Sequence, residues 1–117
     1  MMHYLALALG LFFFGGIMGA ELRAQDDLLA SGEDLAQALC GSCHAIGATQ
    51  RSFHPAAPAF RDLQYRMDFA RLEEQLRQGL VAGHPEMPVF VLRDHEAVAL
   101  VRYLRSLQTN NSRLRES

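Results

Sequence analysis

Cys40-Gly41-Ser42-Cys43-His44 is the stretch that decides how this chain can fold. On a helical turn, residues three apart share a face. Two thiols at that spacing can meet the two vinyl groups of one porphyrin, and the imidazole that follows can put a nitrogen on its iron. The run is the C-x-x-C-H pattern of covalent c-type haem attachment. Cys40 and Cys43 are the only cysteines in the chain, so no thiol is left for another task.

Two other chemistries use paired cysteines. A thioredoxin-like redox disulfide wants a βαβ pattern around it, and this chain has no convincing strand alternation. A structural zinc site wants four ligands, usually in a second paired cluster. Beyond His44 the histidines are scattered singly at His3, His54, His84 and His95. Two buried thiols with no role are the remaining alternative.

Outward from the motif, 117 residues allow one domain. A net charge of −2 with 50% hydrophobic residues points away from a basic nucleic-acid binder and from a disordered acidic tail. All eleven basic residues are arginines, so any positive rim is built from guanidinium groups that pair bidentately with carboxylates.

Residues 1–20 stand apart from the fold. Tyr4 to Ala20 is uncharged and apolar, with Phe12, Phe13 and Phe14 at its centre. It reads as a signal peptide or an N-terminal membrane anchor. Cleavage after Ala20 is the preferred reading, because a bilayer wants about 20 apolar residues and this run barely reaches that. Either way the remainder is exported, a periplasmic location that suits covalent haem assembly. What remains is near the size at which domains need a staple. Here that staple is the haem, so the chain without it is expected to be poorly folded.

Residues 21–30 form a polar lead-in with Asp26 and Asp27. Ser31 has the character of an N-cap, with Asp34 completing a variant capping box, and a first helix is expected from Gly32 to about Leu39. Ala45 to Ala59 is loop, marked by Gly47, Pro55 and Pro58, and Phe60 to Leu63 could form one turn. Asp68 caps an amphipathic helix carrying Phe69, Leu72, Leu76 and Leu80 at helical spacing, and Gly79 stops it. Val81 to Pro88 is a second loop. A last helix is expected from Asp94 to about Leu107, burying Ala97, Leu100, Val101, Leu104 and Leu107, with a polar tail over 108–117 that frays from Asn110. Long loops would count against so small a domain; a haem that supplies the missing core removes the objection.

An electron-transferring c-haem wants a ligand opposite the histidine. Met87, in His84-Pro85-Glu86-Met87-Pro88, is the best candidate: prolines stiffen its loop, and a thioether favours ferrous over ferric iron and so raises the potential. Met67 and His84 are its rivals, and a packed loop methionine is the bland alternative. His54 and His95 are expected at the surface.

With both ligand loops placed, residues 31–107 resemble a small bacterial class I cytochrome c. The matching features are Gly32 eight residues before Cys40, the C-x-x-C-H run, Pro58, Met87-Pro88, and Leu100-Val101-Arg102-Tyr103-Leu104. The resemblance implies an all-α, cytochrome c-like fold of three to four short helices wrapped round one covalently bound haem c. It implies that Gly32 packs against Tyr103, the bare glycine letting two helices approach closely. It also implies that Pro58 lends its carbonyl to the other nitrogen of His44, orienting it and raising its basicity. One departure is Ala36, where the family commonly carries an aromatic residue. The lysines that ring the haem edge in mitochondrial relatives are absent.

The resulting expectation is a non-enzymatic electron carrier. Cys40 and Cys43 tether the porphyrin, His44 and Met87 bind the iron, and Pro58 orients His44. Leu35, Leu39, Phe60, Leu100 and Leu104 are candidate haem-facing or core residues, and Arg61 and Arg66 candidate propionate partners. The redox partners would be proteins, such as a periplasmic dehydrogenase or terminal oxidase; no nucleic acid is expected, and a membrane only if the N-terminal segment stays. The alternatives are a haem with an open sixth position that takes a gas or peroxide, and a haem subunit of a dehydrogenase or oxidase complex.

Overall fold

The computed structural model describes residues 2–80 and 84–116, with side chains described over 18–80, 84–108 and at Arg113. The described residues are helical and loop, with no strand among them: α1 (Met2–Cys40), a 3₁₀ helix (Phe60–Tyr65), α2 (Phe69–Gln78) and α3 (Asp94–Glu116).

α1 begins far earlier than the sequence reading placed it. The Ser31 side chain does not cap a helix; its Oγ donates to the carbonyl oxygen of Asp27 at 2.9 Å, one turn back inside a continuous helix. The reason lies in composition. No proline precedes Pro55, and residues 21–30 are mostly strong helix formers that need no cap to continue. Ser31 and Asp34 carry cap chemistry without the chain break a cap requires. Most of residues 1–20, expected to form a signal peptide or anchor, have side chains outside the described residues. Among those described, no helix is long and apolar enough to cross a membrane.

α1 packs along α3, and small residues set the distance. Gly32 is buried, and a Cβ there would collide with the carbonyl oxygen of Ala99 and come within 2.8 Å of Tyr103 Cβ. Ala36, one turn on, is wholly buried and continues that small face, so the missing aromatic leaves tight backbone packing in its place. At the outer end of the contact Arg102 Nη2 donates to Gln25 Oε1 at 2.9 Å.

The start and stop of α2 are as the sequence indicates. Asp68 Oδ1 accepts from the Ala70 N–H at 2.8 Å, which caps the helix. Gly79 ends it at φ +99°, a conformation that favours glycine. Leu72 and Leu76 face the core. α3 starts at Asp94 with a reverse cap, in which the Arg93 N–H donates to Glu96 Oε2 at 2.9 Å. Its buried stripe of Ala97, Leu100, Val101, Leu104 and Leu107 matches the spacing. The helix then continues to Glu116, past the expected fraying point: Asn110 and Asn111 are weak helix formers but not breakers. In the second loop, residues 81–83 lie outside the described residues.

Loops join this frame at specific points. Tyr103 Oη donates to the Ile46 carbonyl at 2.9 Å, Gln108 Nε2 donates to the Phe60 carbonyl at 2.6 Å, and the Leu92 N–H donates to the Leu76 carbonyl at 2.8 Å. α3 thereby holds both the segment after the cysteine motif and the start of the 3₁₀ helix, and α2 holds the segment after Met87.

Candidate functional site

α1 delivers Cys40 at its last turn, and the backbone winds on from there. The N–H groups of Cys43 and His44 both donate to the Cys40 carbonyl, at 3.1 and 2.9 Å. This keeps Cys40 and Cys43 on one side and turns His44 into the interior. Both cysteines are half-buried and unbridged. Burial, and then the neighbouring Cys43, pushes the Cys40 thiol up to about 11. That is the reverse of the lowered thiol pKa that a disulfide-exchanging pair uses. Among the described residues no group of three histidine, cysteine or acidic side chains is placed to hold a metal ion, so the zinc alternative has no ligand set.

His44 is fixed by one strong contact. Its Nδ1 lies 2.7 Å from the Pro58 carbonyl oxygen, which has only acceptor capacity, so Nδ1 carries the proton and Nε2 presents its lone pair. The ring also rests on Phe60, centroid to centroid 5.2 Å at a tilt of 45°. The Phe60 N–H donates to the Ala45 carbonyl at 2.9 Å, and the Ala45 N–H donates to Ser52 Oγ at 3.0 Å, so the loop that carries Pro58 is tied back to the motif.

The cysteines, His44 and Met87 line one cavity of about 480 Å³. Its walls are mainly apolar, with Leu39, Phe60, Leu72, Leu76, Leu100 and Leu104 among them. A pocket of that size suits a cofactor, since such sites run at about 300–1,000 Å³. Two thiols at one end, an imidazole with a lone pair to give, a thioether and an otherwise apolar wall are the donor set of a c-type haem. The residues therefore fit that group.

Several expected roles are redistributed. Leu39, Phe60, Leu100 and Leu104 line the cavity, whereas Leu35 lines a shallow hollow on the other flank, between α1 and the start of α3. Neither Arg61 nor Arg66 lines the cavity; Arg61 Nη1 donates to the Gln50 carbonyl at 2.6 Å. The polar groups on the cavity are instead Ser42, His54, Gln75, His84 and Glu86. Met67 lines it too and packs against the helical core, and Met87 lines it half-buried.

His54 is not the plain surface residue expected of it. It lines the cavity, and its Nε2 lies 2.9 Å from Glu86 Oε2. The signal that could have found it is a repeat, His54-Pro55-Ala56-Ala57-Pro58 against His84-Pro85-Glu86-Met87-Pro88. One copy ends at the proline that holds His44, and the other carries Met87.

Residues 27–104 match the family model described as cytochrome c oxidase, cbb3-type, subunit III. Among curated proteins, cytochrome c-552 of Bradyrhizobium diazoefficiens is 36% identical over 77 residues, covering 66% of this chain and 72% of that protein. No solved structure matches.

Proposed function

The chain belongs to the class I monohaem c-type cytochromes and transfers electrons through a covalently bound haem c, and we propose that His44 and Met87 are its two axial ligands. In this reading Cys40 and Cys43 tether the macrocycle and Pro58 fixes the ring of His44. The observation that carries it is the pairing of His44, its Nδ1 committed to Pro58, with a Met87 thioether on the same apolar cavity.

The haem, when bound, supplies an iron that gains and loses one electron. The chain's own residues set the terms of that exchange. The Pro58 carbonyl draws on the Nδ1 proton of His44 and makes Nε2 a better donor. The Met87 thioether is soft and neutral and favours the ferrous state. Apolar walls from α2, α3 and the 3₁₀ helix keep water from the metal, which also raises the potential. With His44 and Met87 both given to the iron, no position there would remain for a substrate, so in this reading the protein acts as a carrier and not as an enzyme. Residues 1–20 serve as an export signal or anchor, which puts the cytochrome domain on the periplasmic side of the membrane.

A second reading differs only in partner. The match to a family described by an oxidase subunit favours a haem domain docked to a terminal oxidase. Co-purification of the tagged chain with a cytochrome c oxidase supports that arrangement; recovery of the chain alone at native expression supports a diffusing carrier.

Replacing Met87 by Ala tests the ligand assignment. We expect loss of the weak red charge-transfer band of a thioether–ferric bond, a lower reduction potential and carbon monoxide binding to the ferrous form. An unchanged spectrum and potential would remove Met87 as the ligand and turn attention to Met67 or His84.

A further inference from the structure

The two His-Pro-x-x-Pro segments are alike in conformation as well as in sequence. In the first, the Ala57 N–H donates to the His54 carbonyl at 3.1 Å; in the second, the Met87 N–H donates to the His84 carbonyl at 3.1 Å. Each is a four-residue turn with proline at its second position, where its fixed φ suits the turn. Each also closes on its own histidine, since Nδ1 of His54 accepts from the Ala56 N–H at 3.1 Å and Nδ1 of His84 faces the Glu86 N–H at 3.4 Å. With Nδ1 used as an acceptor, the proton of each neutral ring sits on Nε2.

Both Nε2 atoms point at one carboxylate. Glu86 Oε2 lies 2.9 Å from Nε2 of His54 and 3.8 Å from Nε2 of His84, and the two rings meet edge to face at 5.5 Å. The sequence separation across the closer contact is 32 residues, so it joins the loop of Pro58 to the loop of Met87. Glu86 is held at both ends, its N–H by His84 and its carboxylate by His54, and Met87 is the next residue.

We propose that the paired turns form a clasp at the mouth of the haem cavity, in which the His54–Glu86 contact is a positioning device that holds the Met87 loop against the loop that orients His44. The inference rests on the assignment of Met87 as an axial ligand. Its consequence concerns what happens when the iron–thioether bond opens. With the clasp closed the thioether stays beside its ligand position and rebinds. Without it the loop swings away and an outside ligand competes better.

The test uses the holoprotein in its ferric form, titrated with imidazole while the thioether–ferric charge-transfer band is followed. His54→Phe and Glu86→Ala each remove one half of the contact and are expected to tighten apparent imidazole binding by about threefold to tenfold, the range for one hydrogen bond. His54→Gln keeps an N–H donor on the side chain and is expected to restore wild-type binding. The double variant His54→Phe/Glu86→Ala is expected to shift binding no further than the larger single change, since both remove the same contact. In saturating imidazole, where the loop is already released in every variant, the denaturant midpoints are expected to stay together, which separates positioning from general stability. Imidazole affinities within twofold of wild type, or singles that simply multiply in the double variant, would overturn the clasp alone. Absence of the thioether band from the wild-type protein would overturn the Met87 assignment, and the clasp with it.

Discussion

Replacing Gly32 by Ala adds one methyl group at the closest approach of α1 and α3, and the structure says what that methyl meets. The new Cβ would collide with the Ala99 carbonyl oxygen, lie 2.8 Å from the Ala99 carbonyl carbon and lie 2.8 Å from Tyr103 Cβ. Two of those three atoms are main chain inside α3 and the third is fixed to it, so no side-chain rotation relieves the clash. The helices must move apart. Overpacking of a core costs about 1–3 kcal/mol, and a rigid obstacle places this site at the upper end. Against that, alanine in a helix interior gains about 1 kcal/mol over glycine. The net expectation is a loss of about 2 kcal/mol. For a domain of 60–100 residues, about 4–8 °C of melting temperature goes with each kcal/mol, so the midpoint should fall by about 8–16 °C. Thermal unfolding of the ferric holoprotein followed by circular dichroism measures it. Because α3 also carries Leu100 and Leu104 on the cavity wall, the reduction potential should move as well. A melting point equal to or above wild type would refute the close-approach argument.

Tyr103→Phe removes a buried hydroxyl that donates to the Ile46 carbonyl and leaves that carbonyl without this donor, so a loss of about 1 kcal/mol is expected, seen as a lower denaturant midpoint with an unchanged slope. A pH series on Glu96→Gln tests the cap of α3. Hydrogen bonds from the Arg93 side chain and backbone hold the Glu96 carboxyl down from 4.5 to about 2. A carboxyl lowered in the folded state stabilises it fully above about 4.5 and loses that effect as pH falls through about 2. The melting-temperature gap between wild type and Glu96→Gln should therefore be widest near neutrality and shrink across that acid window; a gap independent of pH would remove the cap as its cause.

The motif on which the proposed haem site rests was legible because its residues are rare and its spacing is the one a porphyrin's two vinyl groups require. Cys40, Cys43 and His44 can be read from five consecutive letters. Asp68 and Gly79 were legible as helix ends for an equally local reason, since a cap and a left-handed stop each depend on one residue. Helix ends without a breaker were not. Ser31 looked like a cap, but nothing upstream obliged the chain to leave the helix, and local propensity carried it through. The polar lining of the cavity was hidden for a different reason. Whether His54 or Arg61 meets the site depends on how a loop folds back across 32 residues, and periodicity carries no information about that. The repeated His-Pro-x-x-Pro segment did carry it, but as a comparison of two loops and not as a property of either.

The same geometry explains how a middle segment with little secondary structure can be held in place between two long helices. Among the described residues between Cys40 and Asp94, only the 3₁₀ helix and α2 are regular. These loops surround a cavity of about 480 Å³ walled by side chains from every regular element. If that volume had to be maintained without a group to fill it, at about 24 cal/mol per Å³ the cost would be about 12 kcal/mol. Water entering at the mouth lowers this figure, yet it remains comparable with the about 5–15 kcal/mol that stabilises a typical domain. Collapse of the loops into the space is the alternative, and it would discard the His44–Pro58 and His54–Glu86 contacts. Cys40→Ala/Cys43→Ala, which cannot form thioethers, produced without haem, should therefore keep helical signal from α1 and α3 but lose a cooperative thermal transition and bind a hydrophobic dye. Sharp, two-state melting of that haem-free protein, near the temperature of the holoprotein, would show that helix packing alone sustains the fold and that the cavity is preformed.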